Sequence, residues 1–109
     1  MISVSAARKL ALSFPGTEEN PHFDRAAFKV TGKRIFATLH EPSQTMNVML
    51  TPAGQGEFCA YDPRAVFRVP NKWGEKGVTT FDLNLVATDL LSAALHMAYR
   101  DVLEAKKKK

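Results

Sequence analysis

Between Val66 and Leu83 the chain reads VFRVPNKWGEKGVTTFDL, and this stretch rules out a long helix. Val66 to Val69 are β-branched or aromatic apart from Arg68, and Val78 to Leu83 alternates in a similar way, so each end reads as a strand. Pro70, Gly74 and Gly77 forbid a helix between them and supply turn geometry. The tip carries Asn71, Lys72, Trp73, Glu75 and Lys76. Displaying two lysines and the chain's one tryptophan on an exposed tip is costly. Either something binds there, or Trp73 folds back as a lid on the core.

The rest of the chain must supply partners for that hairpin. Its 109 residues are enough for one domain and not two. With 45% apolar and 24% charged residues the composition is that of a globular protein, able to build one core without staples. Cys59 has no partner for an internal disulfide, which fits a reducing cytoplasm. No apolar run approaches the roughly 20 residues of a membrane span, and the first residues lack a basic-then-apolar leader. The expectation is a cytoplasmic domain over residues 1–105 followed by a disordered lysine tail, 106–109.

Charge is informative only by position. The formal net charge is +4, and Lys106 to Lys109 account for all of it. Residues 25–34 hold Arg25, Lys29, Lys33 and Arg34 with no acid, a local +4. Residues 64–77 hold Arg64, Arg68, Lys72 and Lys76 against Glu75, a local +3. Both segments are predicted hairpins, so a neutral domain carries two basic hairpins.

A helix is predicted from Val4 to Ser13, capped by Ser3, with Val4, Ala7, Leu10, Ala11 and Phe14 on one face. Pro15-Gly16 ends it, and Thr17–Pro21 reads as a polar, acidic loop. Strands follow at Ala26–Thr31 and Arg34–His40, joined at Gly32-Lys33, and at Met46–Thr51. In the second strand Ile35, Ala37 and Leu39 are expected on one face and Phe36, Thr38 and His40 on the other. Thr51-Pro52 opens a short helix weakened by Gly54 and Gly56. After the 66–83 hairpin, Asn84 or Thr88 caps the longest helix, striped by Leu91, Leu95, Ala98 and Val102. The order α-βββ-α-ββ-α predicts an α+β domain: one antiparallel β-sheet with the N- and C-terminal helices on one face.

Constellations for chemistry are thin. His22-Phe23-Asp24 places an imidazole and a carboxylate on one side of an extended chain, as general-base chemistry requires, though surface histidines are the simpler reading. His40 and His96 stand alone, and no paired-cysteine or HExxH spacing supports a metal site. Glu18-Glu19 reads as loop solvation, Cys59 as a small buried hydrophobe, and Gly54-x-Gly56 is too short for a phosphate fingerprint.

Three stretches carry a resemblance: Phe14-Pro15-Gly16-Thr17-Glu18-Glu19 with Phe23, then Phe28-Lys29-Val30-x-Gly32-Lys33-x-x-Phe36-Ala37, and finally Gly74-x-Lys76-Gly77 with the last helix and Tyr99. In order and spacing the chain resembles the MmcQ/YjbR family over nearly its whole length. The resemblance implies a frataxin-like (CyaY-like) fold and a "double wing" DNA-binding role in which two hairpins touch the duplex. One departure is that members commonly carry a tryptophan where Val78 stands here, whereas this chain places Trp73 before the turn. Frataxin-like folds elsewhere bind iron through acidic ridges, but the first helix offers Arg8 and Lys9 and no carboxylate.

The expected function is therefore DNA binding, mainly to phosphates, through Lys29, Lys33, Arg34, Arg68, Lys72, Trp73 and Lys76, without base readout. The alternative is a small-ligand or protein-interaction module using the sheet face and Trp73. Neither reading calls for a catalytic centre, a metal or another cofactor, and the expected state is a monomer or weak dimer.

Overall fold

Ser3 does cap the first helix, its hydroxyl accepting from the Ala6 N–H at 3.0 Å. The computed structural model describes residues 1–104, so the predicted lysine tail lies outside the described residues. Its elements are α1 (Val4–Leu12), β1 (Thr17–His22), β2 (Arg25–Val30), β3 (Ile35–His40), β4 (Thr45–Met49), α2 (Pro52–Tyr61), β5 (Val66–Arg68), α3 (Lys72–Glu75), β6 (Val78–Asp82) and α4 (Thr88–Glu104). The α+β architecture is the one expected: a six-stranded antiparallel sheet in the order β1-β2-β3-β4-β6-β5, with α1 and α4 against one face. The strands do not all follow as a meander, because β6 inserts between β4 and β5.

Two local elements differ from expectation. Thr17–Pro21 is not a loop but part of edge strand β1, paired with β2 from Thr17↔Val30 to His22↔Arg25. Its polar residues and Pro21 suit a strand with one unpaired edge. The tip between β5 and β6 does contain one helical turn, α3, started by Asn71, whose side chain accepts from the Trp73 N–H. Pro70 precedes that turn and Gly77 follows its cap, while Gly74 lies within it, so the three breakers do not exclude a single helical turn.

Alternation sorts the sheet into a core face and an open face. Phe28, Val30, Leu39, Met46, Val48 and Phe81 meet Leu91, Leu95, Ala98 and Val102 of α4 in the core. The predicted split of β3 fails at two neighbouring residues, Ile35 and Phe36. Phe28 pairs with Ala37 but Lys29 with Ile35, so Phe36 is an extra residue that joins Ala37 in the core, while Ile35 turns to the open face. Burying a phenylalanine favours the bulge. Phe36 packs edge-on to Phe14 and Tyr99, and Tyr99 stacks on Phe14 with centroids 4.9 Å apart. The Tyr99 hydroxyl donates to the Pro15 carbonyl at 2.5 Å, and Gly16 follows at φ +79°. The Phe-Pro-Gly corner and Tyr99 thus serve the fold.

Candidate nucleic-acid interface

Strand direction decides where the basic segments end up. β3 runs away from the β2–β3 tip and β4 runs back towards it. Met49 pairs with Val78, the first residue of β6. The Thr31–Arg34 tip and the α3 tip therefore lie at the same end of the sheet. Only β4 separates β3 from β6, which puts those strand ends about 10 Å apart.

The second tip is a packed platform. Gly74 sits so close to β5 that an added Cβ would lie 1.7 Å from the Val69 carbonyl oxygen, and one on Gly77 would lie 1.9 Å from that of Leu50. Gly77 also has φ +115°, a conformation side chains disfavour. Buried Gln55 of α2 donates to the carbonyls of Gly74 and Val78 at 2.9 and 3.1 Å. This clamp holds Trp73 outward, 61% exposed, with the Lys76 ammonium 5.2 Å from its ring centroid. Trp73 is no lid on the core.

The seven residues singled out by sequence divide. Lys33, Arg34, Lys72 and Lys76 stand at the shared end, exposed, and form no ion pair among the described residues. Lys29 instead faces its register partner Glu18 on β1, 3.8 Å away. Hydrogen bonds from Asn20 and Thr31, and then the Lys29 charge, hold the Glu18 carboxyl below its usual range. The apparent +4 of residues 25–34 is thus partly cancelled by a neighbour from outside the segment. Arg68 pairs with Thr79, which is buried, and lies on the helix side of the sheet. There its charge opposes the rise that burial imposes on the Cys59 thiol.

Between the tips the open face forms a cleft of about 650 Å³, lined among others by Arg25, Arg34, Ile35, Thr38, Asn47, Met49, Trp73, Lys76 and Val78. No Asp or Glu lines it. Trp73 and Val78 share it, so tryptophan at either position faces one space. Arg25 was not among the sequence candidates for the interface. Its Nε donates to Thr38 Oγ1 at 2.9 Å, whereas Nη2 is buried without a partner. The sequence counts Arg25 only as one cation of the basic segment 25–34; the pairing of β2 with β3 sets it against Thr38 in the cleft.

The predicted His22–Asp24 arrangement is not formed. Phe23 adopts φ +60°, so the chain turns there instead of running extended, and the Asp24 carboxylate meets His40 Nε2 at 3.2 Å. His40 Nδ1 is 2.6 Å from Ser43 Oγ, which is also 2.8 Å from Thr45 Oγ1. With Asp24 75% exposed, these contacts close the β3–β4 turn at the far end of the sheet from the tips. Among the described residues no group of three or more His, Cys, Asp or Glu is placed to hold a metal ion, and no helix is long and apolar enough to cross a membrane.

A family model described as YjbR matches residues 12–101. A crystal structure of the Deinococcus radiodurans protein DR2400, with a DUF419 domain, superposes with a TM-score of 0.79 at 21% identity, covering 100% of this chain and 84% of that one. At that identity the likeness speaks for the fold. No curated protein matches the chain.

Proposed function

The chain belongs to the YjbR family, and we propose that it is a non-enzymatic protein that binds duplex DNA through the phosphate backbone, using the two tips at one end of its sheet. The observation that carries this reading is the co-location of Lys33 and Arg34 with Lys72 and Lys76, four cations without carboxylate partners among the described residues. Unpaired ammonium and guanidinium groups on two exposed tips release counterions when they meet phosphates, which drives binding without reading sequence. Trp73 adds a flat apolar surface between them for a sugar edge. Lys29, held by Glu18, and Arg68, on the opposite side, are outside this contact set.

The test is charge reversal. Lys33→Glu and Lys76→Glu, both at exposed positions, are expected to weaken binding of a labelled duplex about tenfold or more each while leaving the thermal midpoint unchanged. Competitor duplexes of unrelated sequence should displace the label equally well. Unchanged affinity in both variants would remove the tips from the contact.

A further inference from the structure

We propose that the open-face cleft is a binding site for a small amphipathic carboxylate, whose anionic head meets Arg25 and whose apolar, flat body lies against Ile35, Met49 and Trp73. The site does not depend on the nucleic-acid reading. Along the strands the cleft changes character by one register step. Thr38, Asn47 and Thr80 are register neighbours across β3, β4 and β6, and Asn47 Oδ1 accepts from the Thr80 hydroxyl at 2.7 Å. Met49 and Val78 form the next row on the same face, two residues on and about 7 Å away. A polar patch and an apolar patch at that spacing fit a ligand with a charged head on a ring.

The charge on the head follows from Arg25. Its guanidinium makes one hydrogen bond among the described residues, to Thr38, and Nη2 has neither solvent nor partner. Burial lowers its pKa from the ordinary value, with neighbouring Asp24 only partly offsetting the effect. A half-buried cation that makes no ion pair is incompletely compensated, and a carboxylate that meets the part of the guanidinium facing the cleft, not the enclosed Nη2, supplies the missing charge. Arg34 and Lys76 at the apolar end and the absence of acids from the lining keep the whole cleft receptive to an anion. The half-exposed Trp73 ring offers a face for stacking.

Naphthalene-2-carboxylate and its uncharged isostere naphthalene-2-carboxamide separate the possibilities, titrated against the full chain by calorimetry and by Trp73 fluorescence. The carboxylate is expected to saturate one site and to bind about 10- to 100-fold tighter than the carboxamide, the span of one charge-assisted pair. Arg25→Gln should reduce the carboxylate to the affinity of the carboxamide. Trp73→Leu, at an exposed position outside the core, should leave the thermal midpoint unchanged and weaken both compounds together. Lys33→Glu, remote from the head group, should leave both unchanged. Equal affinity for the two compounds, or an unchanged carboxylate affinity in either Arg25→Gln or Trp73→Leu, would overturn the assignment.

Discussion

Single residues here are set by neighbours distant in sequence. Cys59 reads as an isolated thiol, yet Arg68 reaches it from β5 and counteracts the pKa rise that burial causes. A raised pKa means less thiolate at a given pH, so iodoacetamide should alkylate Cys59 more slowly than a free thiol at pH 7.5. Removing the opposing charge with Arg68→Ala raises the pKa further and should slow the reaction again; an unchanged rate would contradict the placement of Arg68 beside α2. Tyr99 likewise joins the last helix to the Pro15 corner through one hydrogen bond. Tyr99→Phe keeps the stack on Phe14 and loses that bond, at a cost of about 1 kcal/mol in chemical denaturation.

Among the elements, α3 and the turn after it are the most demanding, since Gly74 lies against the Val69 backbone and Gly77 against that of Leu50, with no room for a methyl group at either. Gly74→Ala is expected to destabilise the domain by about 3 kcal/mol through overpacking and to shift Trp73, visible as a changed emission maximum. Gly56, which has open space around an added Cβ, is the contrast: Gly56→Ala should stabilise α2 by about 1 kcal/mol, read from the denaturation midpoint. Gly54, two residues earlier, would meet the Met97 sulfur at 3.1 Å, so the two helix glycines are not equivalent. These elements also show what sequence carried. Ser3, Thr51-Pro52 and the stripe Leu91-Leu95-Ala98-Val102 announced their helices because caps and periodicity are local properties. Strand β1 was illegible because its polar, proline-containing sequence is stabilised by pairing with β2, not by its own propensity. The bulge at Phe36 was hidden for a similar reason, since burial of one ring overrode simple alternation. The basic tips could be read as sequence segments, but their juxtaposition needed the β4–β6 pairing, and the Lys29–Glu18 cancellation needed β1.

At the scale of the whole molecule, the sheet joins charges that are far apart in sequence. Glu18 and Glu19 lie on the β1 edge, Glu19 and Glu41 pair with Arg8, and four cations without ion pairs among the described residues, Lys33, Arg34, Lys72 and Lys76, meet at the common end of the two tips. The most direct measurement of whether that end holds phosphates is the salt dependence of duplex binding, by fluorescence polarisation. It should be taken with the full chain and with a variant in which Lys106 to Lys109 are replaced by serine. If Lys33, Arg34, Lys72 and Lys76 each neutralise one phosphate, the serine variant still binds, and log K falls against log salt with a slope of about −3.6. Binding that vanishes with the four terminal lysines would contradict the account, because the polylysine end and not the fold would then be the DNA contact.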